Sequence, residues 1–357
     1  MQTLKELYNI SSHSGDEKRI RKYVIRQCEK RGALCWVDTQ GNLYAVKGDA
    51  ETYPCVVSHL DEVHGNRSAD YRVIQSGDTI FGYDIETMET CGIGADDKNG
   101  IWVCLQCLER YDVMKCAFFV GEEVGCIGSS HADMTFFDDA RFVLQCDRRG
   151  GSDFIVNAAG VELCTESFVH DAMIELFGYS KANGSVTDVM ELKERGLKVC
   201  ACNISCGYYN PHTDSEATKV SELRNCLDLV CNIIENCKDV YPHEYERKVF
   251  GYNRYYGNYT PYRHDDWYHH NGNDYGWYDD GKKDSDTLWY NNDGYNEQLD
   301  MLYELMEDCM TNSSFDEYVL ELFYESEKDN FPALTKADYH NVYEDIKQWY
   351  GACVTED

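Results

Sequence analysis

The chain is short of positive charge: 33 Lys and Arg stand against 64 Asp and Glu over 357 residues, a formal net charge of −31. Phosphate groups are gripped by clustered Lys and Arg, so this deficit argues against nucleic acid or an anionic membrane as a partner. It suits a molecule that draws cations toward itself. Long apolar runs are also missing. No stretch reaches the roughly 18 consecutive apolar residues of a membrane span, and the opening residues MQTLKELYNISSHSG lack the basic-then-apolar order of a secretory leader. The expected location is the cytoplasm. A second cysteine pair at zinc-finger spacing is absent too, which leaves the CxxC of Cys104 and Cys107 as core packing within a helical pattern. The 18 cysteines fall mostly in apolar runs such as KVCACNISC, so they read as reduced, buried thiols and not as a disulfide framework.

What is present is a core-forming chain. Its length allows a domain of roughly 240 residues plus a smaller one, and 43% of it is hydrophobic. SGDE, residues 14–17, has capping-box spacing and predicts a helix running to about Gly32. ALCWV and NLYAVKG read as strands around a glycine turn, followed by YPCVVSHLDEV. Then GIWVCLQCLERY reads as helix, KCAFFV, RFVLQC and LKVCACNIS as strands, and VSELRNCLDLVCNIIEN as helix. That alternation predicts an α/β fold, a mixed and mostly parallel sheet with helices on both faces.

Composition divides the chain into three parts: 1–245, 246–296 and 297–357. The middle part holds ten Tyr and three Trp between Gly251 and Asn296 with no sustained period, and is expected to be irregular. Its HDDWYHH stretch reads as an incidental polar loop before a metal site. In the last part apolar residues recur at helical spacing from Leu299, Phe315 and Tyr339, and SFDE and TKAD have capping-box form. A small C-terminal helical module is predicted, its aromatic stripes serving as core.

Chemistry-bearing residues sit where strand-like runs end. His59 and Asp61 follow PCVVS, Glu122 and Glu123 follow CAFFVG, Asp147 follows FVLQC, and His212 follows CACNISCGYYNP. Asp96 and Asp97 stand in GIGADDKNG at the start of a helix. In open α/β sheets the carboxyl ends of strands form the crevice where ligands sit. Singly, each is an ordinary polar loop residue; gathered at one edge, two His with several carboxylates make a donor set for zinc, cobalt or manganese. The carboxylates are too many for one tetrahedral ion. Two ions about 3.5–4 Å apart would use them all, with Asp96 as the bridge.

SHLDEV, GADDKNG, GEEVG, the Asp of QCDRRGG and the His of NPHTD, in this order over residues 1–240, resemble the co-catalytic dinuclear zinc exopeptidases. That group includes tripeptidase T, carboxypeptidase G and the glutamyl and leucyl aminopeptidases, and GADDKNG is most like the tripeptidase T form. The resemblance implies that His59, Asp96 and Asp147 hold one metal and that Asp96, Glu123 and His212 hold the other. It further implies that Asp61 orients the His59 ring and that the Asp96–Asp97 peptide bond is cis. Glu122 would be the general base, taking a proton from a water between two zinc ions and passing it to the leaving amine.

The implied activity is hydrolysis of short peptides from the amino end. N-acyl-amino-acid deacylation is the nearest alternative, and an inert peptidase-like docking protein, using the aromatic segment and helical module on a partner, is a rival of another class. The chain departs from tripeptidase T in that Asp147 and His212 lie only 65 residues apart (212 − 147). Those residues read as elements of the main sheet, which leaves no room for an inserted lid of at least ~50 residues. Without a lid, Tyr208 or Tyr209 is expected to serve the oxyanion. Arg148 and Arg149 either clamp a substrate carboxylate or are solvated, and Asp188 of SVTDV resembles a position that shapes the substrate end.

Overall fold

YPCVVSH and MKCAFF are buried along their whole lengths, the pattern of strands covered on both faces. They lie at the centre of the fold. The computed structural model describes residues 1–245, 302, 305, 306, 310, 317–329 and 334–354, with side chains as far as 347. The expected irregular segment 246–296, with HDDWYHH, and most of the first C-terminal helix lie outside the described residues.

The strands are β1 (Leu34–Val37), β2 (Leu43–Lys47), β3 (Tyr53–His59), β4 (Tyr71–Ser76), β5 (Thr79–Asp84), β6 (Glu89–Cys91) and β7 (Met114–Phe119), then β8 (Ala140–Arg148), β9 (Asp153–Ala158), β10 (Val161–Glu162), β11 (Ser180–Gly184), β12 (Ala201–Ser205), β13 (Tyr208–Tyr209) and β14 (Ala217–Lys219). Nine of them form one mixed sheet in the order β1-β2-β7-β3-β8-β12-β9-β10, with β11 paired to β9. The central strands β7, β3, β8 and β12 run parallel, so their carboxyl ends share one edge. A second, antiparallel sheet joins β13, β14, β5 and β4, with β6 on β5. The sequence reading did not anticipate this second sheet.

Helices α1 (Gln2–Tyr8), α2 (Lys18–Lys30), α3 (Ala95–Arg110), α4 (Ile127–Ser130), α5 (Glu166–Ala172), α6 (Asp188–Glu194) and α7 (Val220–Asn236) cover the large sheet. α3 packs on β3 and β8 and against α1 and α7. In a separate apolar layer, Val189 and Leu192 of α6 and the ring pair Phe136 and Phe137 bury the side chains of Val57, Val143 and Ile155. The segment between Asp147 and His212 is occupied by β9 to β13 and two helices, all members of this architecture.

Two local expectations need correction. α2 begins at Lys18, and Ser14 does not cap it: the Ser14 hydroxyl donates to Asp61 Oδ2 at 2.7 Å, while Glu17 accepts the Gly15 N–H. A distant carboxylate thus outcompetes the local cap. Cys104 and Cys107 are wholly buried in α3, and the sixteen described cysteines are free thiols.

The chain divides into two units, 1–250 and 251–357. In the second, α8 (Glu317–Glu327) and α9 (Lys336–Val354) enclose a cluster of Leu320, Tyr339, Val342 and Ile346 with Leu302 and Met306. The TKAD cap is formed: Asp338 accepts from Thr335 N–H at 2.6 Å, and Thr335 Oγ1 accepts from Asp338 N–H at 3.3 Å. No described helix is long and apolar enough to cross a membrane.

Candidate metal centre

The parallel strands deliver their last residues to one place. β3 ends at His59, the loop after β7 carries Glu122 and Glu123, and β8 carries Asp147 one residue before its end. β12 leads through β13 to His212. Asp96 arrives from the opposite direction, at the start of α3.

The GADDKNG run explains itself in this setting. Gly94 has φ +62, and a Cβ there would lie 2.0 Å from Glu62 Oε2. The Asp96–Asp97 peptide bond is cis, and both residues have non-helical dihedrals, so regular helix starts after them. Asp97 turns back into the fold, its carboxylate accepting N–H groups of Gly100 at 2.9 Å and His59 at 3.3 Å. Lys98 donates to Glu62 at 2.7 Å, and Arg67 grips both Glu62 oxygens at 2.7 and 2.8 Å. Asn99 donates to the Cys206 carbonyl at 2.9 Å, tying α3 to the turn before β13. Gly100 has no room for a side chain, since a Cβ would meet the Asp97 carboxylate at 2.4–2.7 Å. Only Asp96 is left facing outward.

Asp96 divides its oxygens between two histidines. Oδ1 is 3.2 Å from His59 Nε2 and Oδ2 is 3.5 Å from His212 Nε2. His59 Nε2 is also 3.6 Å from Asp147 Oδ1, and His212 Nε2 is 2.9 Å from Glu123 Oε2. Two groups able to hold a cation result, His59–Asp96–Asp147 and Asp96–Glu123–His212, with Asp96 common to both. A third, overlapping group is His59–Glu122–Glu123.

The donor set fits a divalent cation. His59 Nδ1 lies 3.0 Å from the Asp61 carbonyl, which can only accept, so Nδ1 carries the hydrogen. A neutral ring then aims the Nε2 lone pair at two carboxylates, which is favourable only with a positive charge between them. The same demand shows in the titration directions. Burial works against an imidazolium at His59, yet Asp147, Asp61 and Asp96 outweigh it and raise its pKa. Burial and the nearby charges of Asp96 and Asp97 push Asp147 well above the usual carboxylate range, and burial does the same to Glu122. Burial would also raise Asp96, but hydrogen bonds from His212 and His59 bring it far below. Buried carboxylates that raise one another in this way are a cluster short of cations.

Supporting residues fix the geometry, and the sequence reading missed most of them. Asp61 reaches the His59 ring mainly through its carbonyl. Its carboxylate holds the following loop instead, accepting from Glu122 N–H at 3.0 Å and Glu123 N–H at 3.2 Å as well as from Ser14. Glu216, wholly buried, accepts N–H groups of Ile93, Gly94 and Asp96 at 3.0, 2.6 and 3.1 Å and contacts His64 Nε2 at 3.0 Å. Asn203 brackets the Asp147 backbone, accepting its N–H at 2.9 Å and donating to its carbonyl at 2.8 Å. Gln145 donates to Asp147 Oδ2 at 3.2 Å and Asp188 Oδ2 at 3.1 Å.

The substrate candidates separate. Tyr208 is buried with its hydroxyl 3.4 Å from Asp147 Oδ1, whereas Tyr209 is half-buried and donates to Glu222 at 2.7 Å. Asp188 is wholly buried, bonded to Ser129 and Gln145 and raised to about 7 by burial, so it braces β8 from within and does not meet an incoming chain. Arg148 pairs with Asp153 at 3.3 Å, and Arg149 is exposed.

No family model and no curated protein matches the sequence. Among solved structures, the chain is similar to the aminopeptidase PepT of Bacillus cereus, with TM-score 0.54 and 16% identity over 66% of this chain and 97% of that one. It is similar to a tripeptidase of Staphylococcus aureus, with TM-score 0.55 and 16% identity over 66% and 97%. An aminopeptidase of the archaeon Desulfurococcus kamchatkensis gives TM-score 0.51 and 17% identity over 66% and 94%. What these likenesses establish is the fold, the α/β architecture of the zinc exopeptidase clan.

Proposed function

We propose that the chain is a metal-dependent peptidase that releases the first residue from short peptides. The observation that carries this reading is Asp96, one oxygen toward each of two histidine-containing groups at the carboxyl ends of the parallel strands. His59, Asp96 and Asp147 would hold one divalent ion and Asp96, Glu123 and His212 the other. The mixture of imidazole and carboxylate donors favours zinc, with cobalt or manganese as substitutes. Bound there, the ions supply a polarised carbonyl and a more acidic water.

The chain's own residues do the rest. Glu122 takes and returns the proton: Asp61 fixes its backbone, and burial raises its proton affinity to the level that such transfer needs. Tyr208, held beside Asp147, is placed to donate to the developing oxyanion.

The test is hydrolysis of di- and tripeptides with free or acetylated amino ends by protein supplied with zinc, cobalt or manganese, products identified by mass spectrometry. Release of the first residue from free peptides alone is expected. Glu122→Gln should bind metal undiminished and lose about 10²–10⁴-fold in kcat. Cleavage of the acetylated set alone would make the chain a deacylase, and no cleavage with two ions bound would overturn the enzymatic reading.

A further inference from the structure

Immediately beyond Asp147 the chain does something its composition makes conspicuous: in a molecule of net charge −31 it places two arginines side by side. They open a cleft of about 400 Å³ lined by Arg148, Arg149, Gly150, Gly151, Tyr209 and Asn210. Its walls are built. Gly150 N–H donates to the Tyr208 carbonyl and Gly207 N–H to the Gly150 carbonyl, both at 2.8 Å, which staples the turn after β8 to the chain entering β13. Ser205 Oγ donates to the Arg149 carbonyl at 2.8 Å and accepts the Asp153 N–H at 3.1 Å. The backbone under Arg149 is therefore fixed from two sides while its guanidinium stays exposed.

The charges around the cleft are unequal in availability. Arg148 is partly neutralised by Asp153 through Nε and Nη2, both at 3.3 Å. Glu222, close to Gly151, is engaged by the Tyr209 hydroxyl at 2.7 Å. Arg149 has no hydrogen-bond or ion-pair partner among the described residues, so it is the group left to meet a ligand. A guanidinium presents a planar fork of N–H donors that matches a carboxylate.

The cleft adjoins the metal centre on two strands. On β8 it begins one residue after Asp147, and on β13 one residue after Tyr208, whose hydroxyl faces Asp147. An extended peptide advances about 3.3 Å per residue, so a chain whose scissile bond lies at Asp96 and Asp147 comes within reach of the turn within a residue or two.

We propose that this cleft is a carboxylate-binding subsite in which Arg149 receives an acidic group on the leaving side of the peptide. The proposal rests on the peptidase reading for its orientation, and it selects peptides whose negative charge lies close behind the cleaved bond. That charge is either the terminal carboxylate of a di- or tripeptide or an acidic side chain.

Full-length protein and its Arg149→Gln and Arg149→Lys variants would be assayed on Leu-Gly-Gly, Leu-Gly-Gly-amide, Leu-Gly-Asp-amide and Leu-Gly-Asn-amide. Calorimetry would measure binding of Gly-Gly and Gly-Gly-amide by the same proteins. The expected result is a preference for Leu-Gly-Gly over its amide of about 10- to 100-fold in kcat/KM, the range of a charge-assisted pair. Arg149→Gln should abolish that preference, and Arg149→Lys should keep part of it. A preference for the Asp over the Asn amide would assign the subsite to acidic side chains instead. Equal rates on acid and amide in all three proteins would overturn the subsite and leave the peptidase standing. Absence of all hydrolysis, with Gly-Gly binding that Arg149→Gln removes, would overturn the peptidase and leave the subsite. Gly-Gly binding unchanged by Arg149→Gln would overturn the subsite whatever the rates show.

Discussion

Among single residues Glu216 holds the most consequential contacts. One buried carboxylate accepts three backbone N–H groups across Ile93, Gly94 and Asp96, so the position of Asp96 is set from a residue 120 places away in sequence. Replacing one oxygen by an amide turns an acceptor into a donor that faces a backbone N–H. Glu216→Gln should therefore cost about 1–3 kcal/mol of stability through a buried unsatisfied group. Zinc affinity should fall about 10–100-fold, the usual penalty for losing a group that orients a ligand. Thermal melting and zinc titration read the two effects separately. Lost stability with unchanged zinc affinity would mean that Glu216 holds the loop without setting Asp96. The same scale explains the tyrosines: Tyr208 and Tyr209 are adjacent on a strand, so their side chains leave opposite faces and only one can reach Asp147. Sequence could nominate the pair; only the strand could choose.

At the scale of elements, the start of α3 shows what local sequence can and cannot carry. Gly100 sits one helical turn after Asp97 because the Asp97 carboxylate folds back onto its N–H and occupies the space of a side chain. Gly100→Ala should displace that carboxylate, lower stability by about 1–3 kcal/mol as overpacking does, and weaken zinc binding. An alanine variant with native melting temperature and native zinc affinity would show that the turn has slack. The long apolar or periodic runs of β3, β7, β8, β12, α3 and α7 were legible because their signals lie within a few consecutive residues. Residues 71–91 alternate buried and exposed along β5, yet Gly82 and the charged ends interrupt the run, and the small sheet they enter is completed by β13 and β14 from far along the chain. The candidate ligands were visible as strand endings, whereas Ser14, Glu216 and Asn203 act across 47, 120 and 56 residues and leave no local trace. Ser14 even carries a false signal, since its capping-box spacing is real but its hydroxyl goes to Asp61.

For the whole molecule, charge and division into units point to one experiment. Residues 1–250 contain the sheet, both helical layers and every candidate ligand, while the helices α8 and α9 bury their own small cluster in the second unit. If peptide cleavage belongs to the first unit, a protein ending at residue 250 should melt in one transition and cleave free di- and tripeptides with unchanged kcat/KM. Its melting should also report the metal. Buried carboxylates facing one another stabilise the fold only with cations between them, so chelation should lower the melting temperature. Zinc at a hundred times its dissociation constant should add about 2.7 kcal/mol per site. Buffered zinc series at two chelator concentrations, followed by differential scanning calorimetry on the full chain and on residues 1–250, give both answers together. Loss of cleavage with the metal-dependent rise intact would assign residues 251–357 a part in handling the peptide, and loss of the rise itself would place them in the stability of the metal centre.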